Sequence, residues 1–317
     1  MLKVPVAFII YKRLETTIRV WDVISKIKPS KLYLIADGPR CNNERLKCQL
    51  VRDFVESKIN WNCDVVKVYS NHNLGCAKRV QSGLDYVFEK EEMAIILEDD
   101  TLPDLSFSSF CEELLERFKD DNRVVHISGC NLHSDIFDFE ESYYFSSIVN
   151  IWGWATWKRA WRNYDIKMAS WEHEDKKTFI SHWCPHRKFL KGIHKMFDLH
   201  CNNEDPWTWD SQWVYAYWKM DGLSILPFKN LVSNIGIGPD ASNTKQREKV
   251  NLYPLRLESM TYPLNHPSLC LNTNYDYSYY CKSRTTLYRK FANKLISMKK
   301  IILKTIIHAY TYRFNEA

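Results

Sequence analysis

Apolar and polar positions along the first 130 residues follow a rhythm of short apolar runs separated by longer periodic stretches. Positions 4–11 form an apolar run of strand length. Positions 15–27 place Ile18, Trp21, Ile24 and Ile27 near helical spacing. Positions 31–36 are apolar again and stop at Asp37-Gly38-Pro39, a turn signal. Helical spacing returns at 48–59, with Val51, Phe54 and Val55 inward, and again at 77–88 and 107–118. Positions 63–69 and 124–128 are β-branched and strand-like. Positions 93–97 are continuously apolar, which suits a strand buried on both faces.

This alternation predicts an α/β fold, a mostly parallel central sheet flanked by helices. Ligands in such sheets bind beyond the carboxyl ends of the strands. Three polar segments fall there: Tyr11-Lys12-Arg13, Asp37-Gly38 and Glu98-Asp99-Asp100. Their convergence predicts one site of nucleotide size.

From about residue 143 the chain reads as irregular and aromatic, with Trp152-Gly153-Trp154 and a Trp-rich run at 206–213. This half is expected to hold the acceptor side of a cleft. Trp152, Trp154 and Trp209 are candidate sugar platforms, with core packing the competing reading for each and at least one ring expected to face the cleft. Pro263, His266 and Pro267 interrupt any regular element. The expected organisation is a domain over 1–262, with a nucleotide half at about 1–130 and an acceptor half at 131–262, then an extension over 263–317.

Charge changes the picture of that extension. The chain carries a formal net charge of +6, yet the stretch 282–313 holds nine Lys and Arg and no acid. The remainder is mildly acidic, unlike a nucleic-acid binder, so no nucleic-acid partner is expected. Leu287, Phe291, Leu295, Ile302 and Ile306 mix with these bases at spacing that suits an amphipathic helix. Such a helix could lie on an anionic membrane surface or pack on the domain with a solvated basic face. The ten cysteines include no CxxC pair and no leader-like segment is evident, so a cytoplasmic protein with reduced thiols, peripheral to a membrane, is expected. His182, Cys184 and His186 lack a fourth ligand at zinc-finger spacing and are read as ordinary side chains.

The acidic triplet carries the candidate chemistry. A buried strand that delivers three carboxylates at its tip calls for a cation, because burying unpaired charge is costly. Hard oxygen ligands favour Mn2+ or Mg2+, which also bind substrate phosphates.

The stretch 4–125, together with Trp152-Gly153-Trp154 and Trp209-Asp210, resembles the GT-A inverting glycosyltransferases related to N-acetylglucosaminyltransferase I. It is still more similar to the bacterial glycosyltransferase-like, or hemolytic-protein-like, enzymes of polysaccharide biosynthesis. The resemblance covers roughly residues 1–250. It implies one GT-A domain, Rossmann-like in its first half. It implies a metal-dependent transfer of a sugar, from UDP-GlcNAc or a similar UDP-sugar, to a hydroxyl of a glycan or lipid-linked acceptor. By position, Arg13 would contact the donor phosphate or uridine, Asp37 the uracil, and Arg79 the base or diphosphate. Asp100 would be the metal ligand, Glu98 and Asp99 would hold sugar and ribose, and Asp210 would be the catalytic base, with Asp205 a rival. Relatives carry His where this chain has Asn243, which bears on phosphate and metal binding. Gly236 and Gly238 would form either a flap over the diphosphate or an ordinary turn.

Two alternatives remain at this level. A sugar-phosphate nucleotidylyltransferase shares the fold class but usually has a Gly-rich loop after the first strand, where this chain reads Tyr11-Lys12-Arg13. A Trp-rich, non-catalytic carbohydrate-binding protein would need no acidic cluster. For the tail, a chain ending at Arg284 is expected to fold and to stop sedimenting with anionic liposomes. Equal sedimentation of the two forms would exclude the tail as an anchor.

Overall fold

A computed structural model of the chain describes residues 1–132, 134, 140–184, 187–236 and 255–279. His186, Gly238, Asn243 and the basic tail lie outside the described residues. In chain order the elements are β1 (Val6–Ile10), α1 (Leu14–Ile27), β2 (Lys31–Ala36), α2 (Asn42–Ser57), β3 (Asp64–Tyr69), α3 (Cys76–Lys90), β4 (Met93–Glu98), β5 (Thr101–Pro103), α4 (Ser106–Arg117) and β6 (Val124–Ser128). There follow β7 (Tyr143–Ser146), β8 (Trp154–Trp157), α5 (Lys158–Trp161), a 3-10 turn at Ala169–His173, α6 (Lys176–Trp183), α7 (Arg187–His200), α8 (Asp210–Lys219), β9 (Leu223–Pro227) and β10 (Val232–Asn234).

Among the described residues, eight strands form one sheet in the order β3-β2-β1-β4-β8-β6-β9-β7. The first four are mutually parallel. β8 runs antiparallel between β4 and β6, β9 is parallel to β6, and β7 closes the edge antiparallel. The expected mixed α/β fold with a mostly parallel sheet is therefore present. β1 is buried along its whole length, because helices cover both faces. Val6, Phe8 and Ile10 share a core with Trp21 and Ile24 of α1, Val51 and Val55 of α2, and Phe110 and Leu114 of α4. Ala7 and Ile9 alternate to the opposite face, where α3 packs. β3, at the edge, carries Asp64 and Lys67 and is partly exposed, which discourages pairing with another chain.

Two readings of the sequence need correction. α2 starts at Asn42 rather than 48, because its first turn (Asn42, Asn43, Glu44) carries no apolar residue to mark it. The second half is not irregular. Its strands have only three to five residues, and its helices bury aromatic side chains in place of aliphatic ones, so neither periodicity was visible. The first compact unit runs from Met1 to Thr273. Residues beyond 255 are tied to it by hydrogen bonds from Ser259 Oγ to Asp104, from Met260 N to Ser106 Oγ, and from Asn265 N to Ser142 Oγ.

The aromatic core of this half is built on Trp154. Its ring lies against His126 at 5.2 Å, Trp209 at 5.4 Å and Trp213 at 5.5 Å. His126 is fully buried. Trp213 Nε1 donates to its Nδ1 at 3.2 Å, so Nε2 carries the proton and donates to the Asn150 carbonyl at 3.1 Å. Burial pushes the imidazole down to about 3 from its ordinary 6.5.

The unfolded chain therefore binds a proton at His126 below pH 6.5 that the folded chain refuses until near pH 3, so its contribution is complete above 6.5 and lost as pH falls. Between pH 7 and pH 5 this group should remove about 2 kcal/mol of stability. Urea unfolding should show a smaller acid loss in His126→Gln than in the native chain. Equal acid sensitivity would place the effect on other groups.

Candidate active site

The strand order puts β1 between β2 and β4, so the chain turns outward in both directions from β1. This is the switch point at which open α/β sheets leave a crevice. A cleft opens there, lined by the ends of β1 and β4 and by the start of α3, and containing Arg13, Asp37, Asn73, Cys76, Arg79, Glu98 and Asp99. The three predicted polar segments do converge.

Their side chains are not equally free. Arg13, at the start of α1, donates to Asp99 Oδ1 and, at 2.9 Å, to Asp100 Oδ2. Tyr11 N donates to the other Asp99 oxygen at 3.1 Å, and Asp99 N donates back to the Ile9 carbonyl at 2.9 Å. Asp99 is thus buried with both oxygens engaged, a strut between the ends of β1 and β4 rather than an open ligand. Glu98, beside it, has no side-chain partner among the described residues. Burial, then the charges of Asp100 and Asp99, push its carboxyl up to about 8. The chain crosses back over this corner through β10, which pairs with β5. Ile235 N donates to the Asp100 carbonyl at 2.8 Å. A Cβ on Gly236 would collide with the Asp100 side chain and the Arg13 guanidinium, so only glycine fits there.

Asp37 is occupied as well. Its Oδ1 accepts from Gly38 N and Leu74 N, both at 2.9 Å, and its Oδ2 accepts from Asn73 Nδ2 at 3.0 Å and Gly75 N at 3.1 Å. Four donors fill a carboxylate's acceptor sites. The expected contact of Asp37 with uracil therefore gives way to a structural role, in which the carboxylate knots the end of β2 to the loop that starts α3. That loop ends at Gly75, whose φ of 79° caps the helix at no steric cost.

Arg79, on the first turn of α3, is only 5% exposed and lines the cleft. Burial pulls its guanidinium down while the Asp37 charge holds it up, and its Nε has no hydrogen-bond partner. Cys76 was missed by sequence reasoning. It lines the cleft, and burial, with the charges of Glu98 and Asp210, pushes its thiol up, so the sulfur stays protonated. Tyr11 and Lys12 are tied to Glu44 of α2, a partner that no sequence pattern marked.

Asp210 is the first residue of α8. Its Oδ1 accepts from Thr208 Oγ1 at 2.6 Å and from Ser211 N at 2.8 Å, while Oδ2 has no partner among the described residues. Trp209, the residue before Asp210, packs on Trp154 of β8, whose partner on β4 is Ile96, two positions before Glu98. Asp205, the rival, is a surface group with a side chain 92% exposed, paired with Lys78 at 3.3 Å. As open sugar platforms, Trp154 and Trp209 are misplaced, because both are buried and packed on each other. Trp152 is half-buried against the core. The two buried rings instead fix the start of α8 on β8, next to β4 and its Glu98.

Among the described residues, no three His, Cys, Asp or Glu side chains gather as a metal site. Mg2+ and Mn2+ sites, however, take one or two carboxylates and fill the remaining positions with water and phosphate oxygens. Unpartnered Glu98 and the Asp100 oxygen not held by Arg13 are hard donors of that kind. This donor set fits such an ion.

No protein-family model matches the chain, and no curated protein matches it by sequence. Solved structures align loosely. The galactosyltransferase LgtC, in complex with donor and acceptor sugar analogues, is 10% identical at a TM-score of 0.36, covering 68% of this chain and 70% of that one. HddC from Yersinia pseudotuberculosis is 12% identical at 0.31, covering 50% of this chain and 80% of that one. A UDP-glucose pyrophosphorylase bound to UDP-glucose is 8% identical at 0.29, covering 51% and 79%. At these scores nothing about substrate follows from them.

The Asp37 knot makes a stability prediction. Asp37→Asn turns two acceptors into one and sets an NH2 group against backbone donors, at about 1–3 kcal/mol for each donor left unpaired. Thermal denaturation should show a fall of several degrees. An unchanged melting temperature would mean that the carboxylate is free for ligand after all.

Proposed function

We propose that this chain is a glycosyltransferase that moves a sugar from a nucleoside-diphosphate donor, a UDP-sugar by the family resemblance, to a hydroxyl of a glycan or lipid-linked glycan. The observation that carries this reading is the pairing of opposite demands in one cleft. Buried Arg79, with an unpaired Nε, and the N-terminal end of α3 ask for an anion. Glu98 and Asp100 ask for a cation. A diphosphate with a divalent ion satisfies both.

Each group then has a part in the reaction. The first N–H groups of α3 and the Arg79 guanidinium would hold the diphosphate and stabilise the charge that grows as it leaves. Glu98 and Asp100 would hold Mn2+ or Mg2+, which when bound supplies Lewis-acid stabilisation of the leaving phosphate. Asp210 would accept the proton of the acceptor hydroxyl on its unpaired Oδ2, while Thr208 and Ser211 fix the carboxylate through Oδ1. Attack opposite the leaving group would give inversion. Asp205 is too exposed for this role. Arg13 would keep Asp99 and Asp100 in place rather than meet the nucleotide with a free guanidinium.

The alternatives fare less well. The first β–α connection is lined by Tyr11, Lys12 and Arg13, with side chains tied to Glu44, Asp99 and Asp100, and not by the bare glycine backbone that cradles a triphosphate. A lectin reading would leave the buried Arg79 and the unpartnered Glu98 of the cleft without a task. Assembly of surface polysaccharide on a membrane fits the lipid-linked acceptor implied by the resemblance.

With UDP-GlcNAc, Mn2+ and no acceptor, the native chain should release UDP slowly. Asp210→Asn should bind UDP with unchanged affinity and lose this turnover by about 100-fold or more, the size of a general-base contribution. Full turnover in Asp210→Asn would move the base elsewhere, and consumption of UDP-GlcNAc only with pyrophosphate, yielding UTP and the sugar 1-phosphate, would make the enzyme a nucleotidylyltransferase.

A further inference from the structure

The buried tryptophans leave the acceptor without a platform, and a different ring is available. Trp207 is 53% exposed, although it lies between buried Pro206 and buried Trp209. It sits in the loop joining α7 to α8, three positions before Asp210, so its backbone is within about 11 Å of the candidate base. The loop is anchored on both sides of the ring. Asp205 pairs with Lys78 of α3 at 3.3 Å, and the Thr208 hydroxyl donates to Asp210 at 2.6 Å.

The ring also has a backing. The indole centroid lies 4.4 Å from that of the imidazole of His200, the last residue of α7. His200 is 2% exposed, and its buried Nδ1 has no hydrogen-bond partner. Thr208, the residue after Trp207, is hydrogen-bonded to Asp210 at 2.6 Å, which ties the ring's loop to the candidate base. A buried ring nitrogen without a partner is costly. The two rings are tilted by 44°, so the imidazole supports one part of an indole that is 53% exposed.

We propose that Trp207, backed by His200, is the acceptor platform, and that the acceptor is a pyranoside laid with its C–H face on the open side of the indole. The geometry is that of sugar–aromatic stacking: a flat apolar face meets axial C–H groups while equatorial hydroxyls stay at the rim. Stacking there sets the hydroxyls of that sugar near Asp210, three positions along the loop. This rests on Asp210 being the base. It replaces Trp152, Trp154 and Trp209 as the ring that meets sugar.

The test uses the whole chain with UDP and Mn2+ and a panel of methyl pyranosides of glucose, galactose, mannose and N-acetylglucosamine, read by saturation-transfer NMR. At least one glycoside should receive saturation from the native chain. Trp207→Ala should weaken it about tenfold or more, and Trp207→Phe should recover part of that loss. UDP affinity, read separately, should be the same in all three. The platform is overturned if no pyranoside binds the native chain, if Trp207→Ala binds as well as the native chain, or if the variant also loses UDP. Failure of the native chain to bind UDP at all is a separate result that removes the proposed function, because glycoside binding is scored on its own signal.

Discussion

The corner where Arg13 meets Asp99 and Asp100 is the constraint on which the cleft depends. It holds the ends of β1 and β4 at a fixed separation, and it does so with buried charge. Removing Arg13 would leave the buried Asp99 carboxylate without its counter-charge, which costs more than the pair contributes when intact. The return strand β10 and Gly236 close over this same pair, so the backbone is built to the contour of those side chains. Glu98 is left in the cleft beside a saturated neighbour, with its proton held by burial and by like charge.

The second constraint is apolar. Trp209 and Trp213 flank Asp210 along the chain and pack on Trp154 of β8, which pairs directly with β4. The aromatic core thereby sets the position of a carboxylate relative to Glu98, through two layers of rigid structure. Rings that looked like sugar platforms instead fix the start of α8 and the proposed base Asp210, and Trp207, exposed two positions before Trp209, is the proposed platform.

Much of the first half was legible because its strands are aliphatic and its helices keep a regular apolar stripe. The bounds of β2 and β6 were readable to the residue. So was the convergence of three strand ends, since it follows from topology alone. Asp37 and Asp99 carry structural contacts that the sequence did not announce, for a shared reason. A sequence shows an acid at a strand end but not the backbone N–H groups that fill its oxygens. The second half was hidden by short strands and by aromatic helices. Trp209 and Trp207 are two positions apart with identical side chains, and only burial separates a core residue from a surface one. Glu44 and Cys76 carried no signal, because their parts in the cleft come from long-range contacts.

The account comes down to one claim: the crevice between β1 and β4 accepts a nucleoside diphosphate together with a divalent ion. The most direct measurement is the thermal stability of the native chain with UDP, with Mn2+, and with both. Binding to the folded state alone raises the melting temperature in proportion to the logarithm of ligand over its dissociation constant. The account predicts a clear rise with both together and a much smaller one with either alone. No shift with UDP and Mn2+ together, or an equal shift with UDP alone, would contradict it.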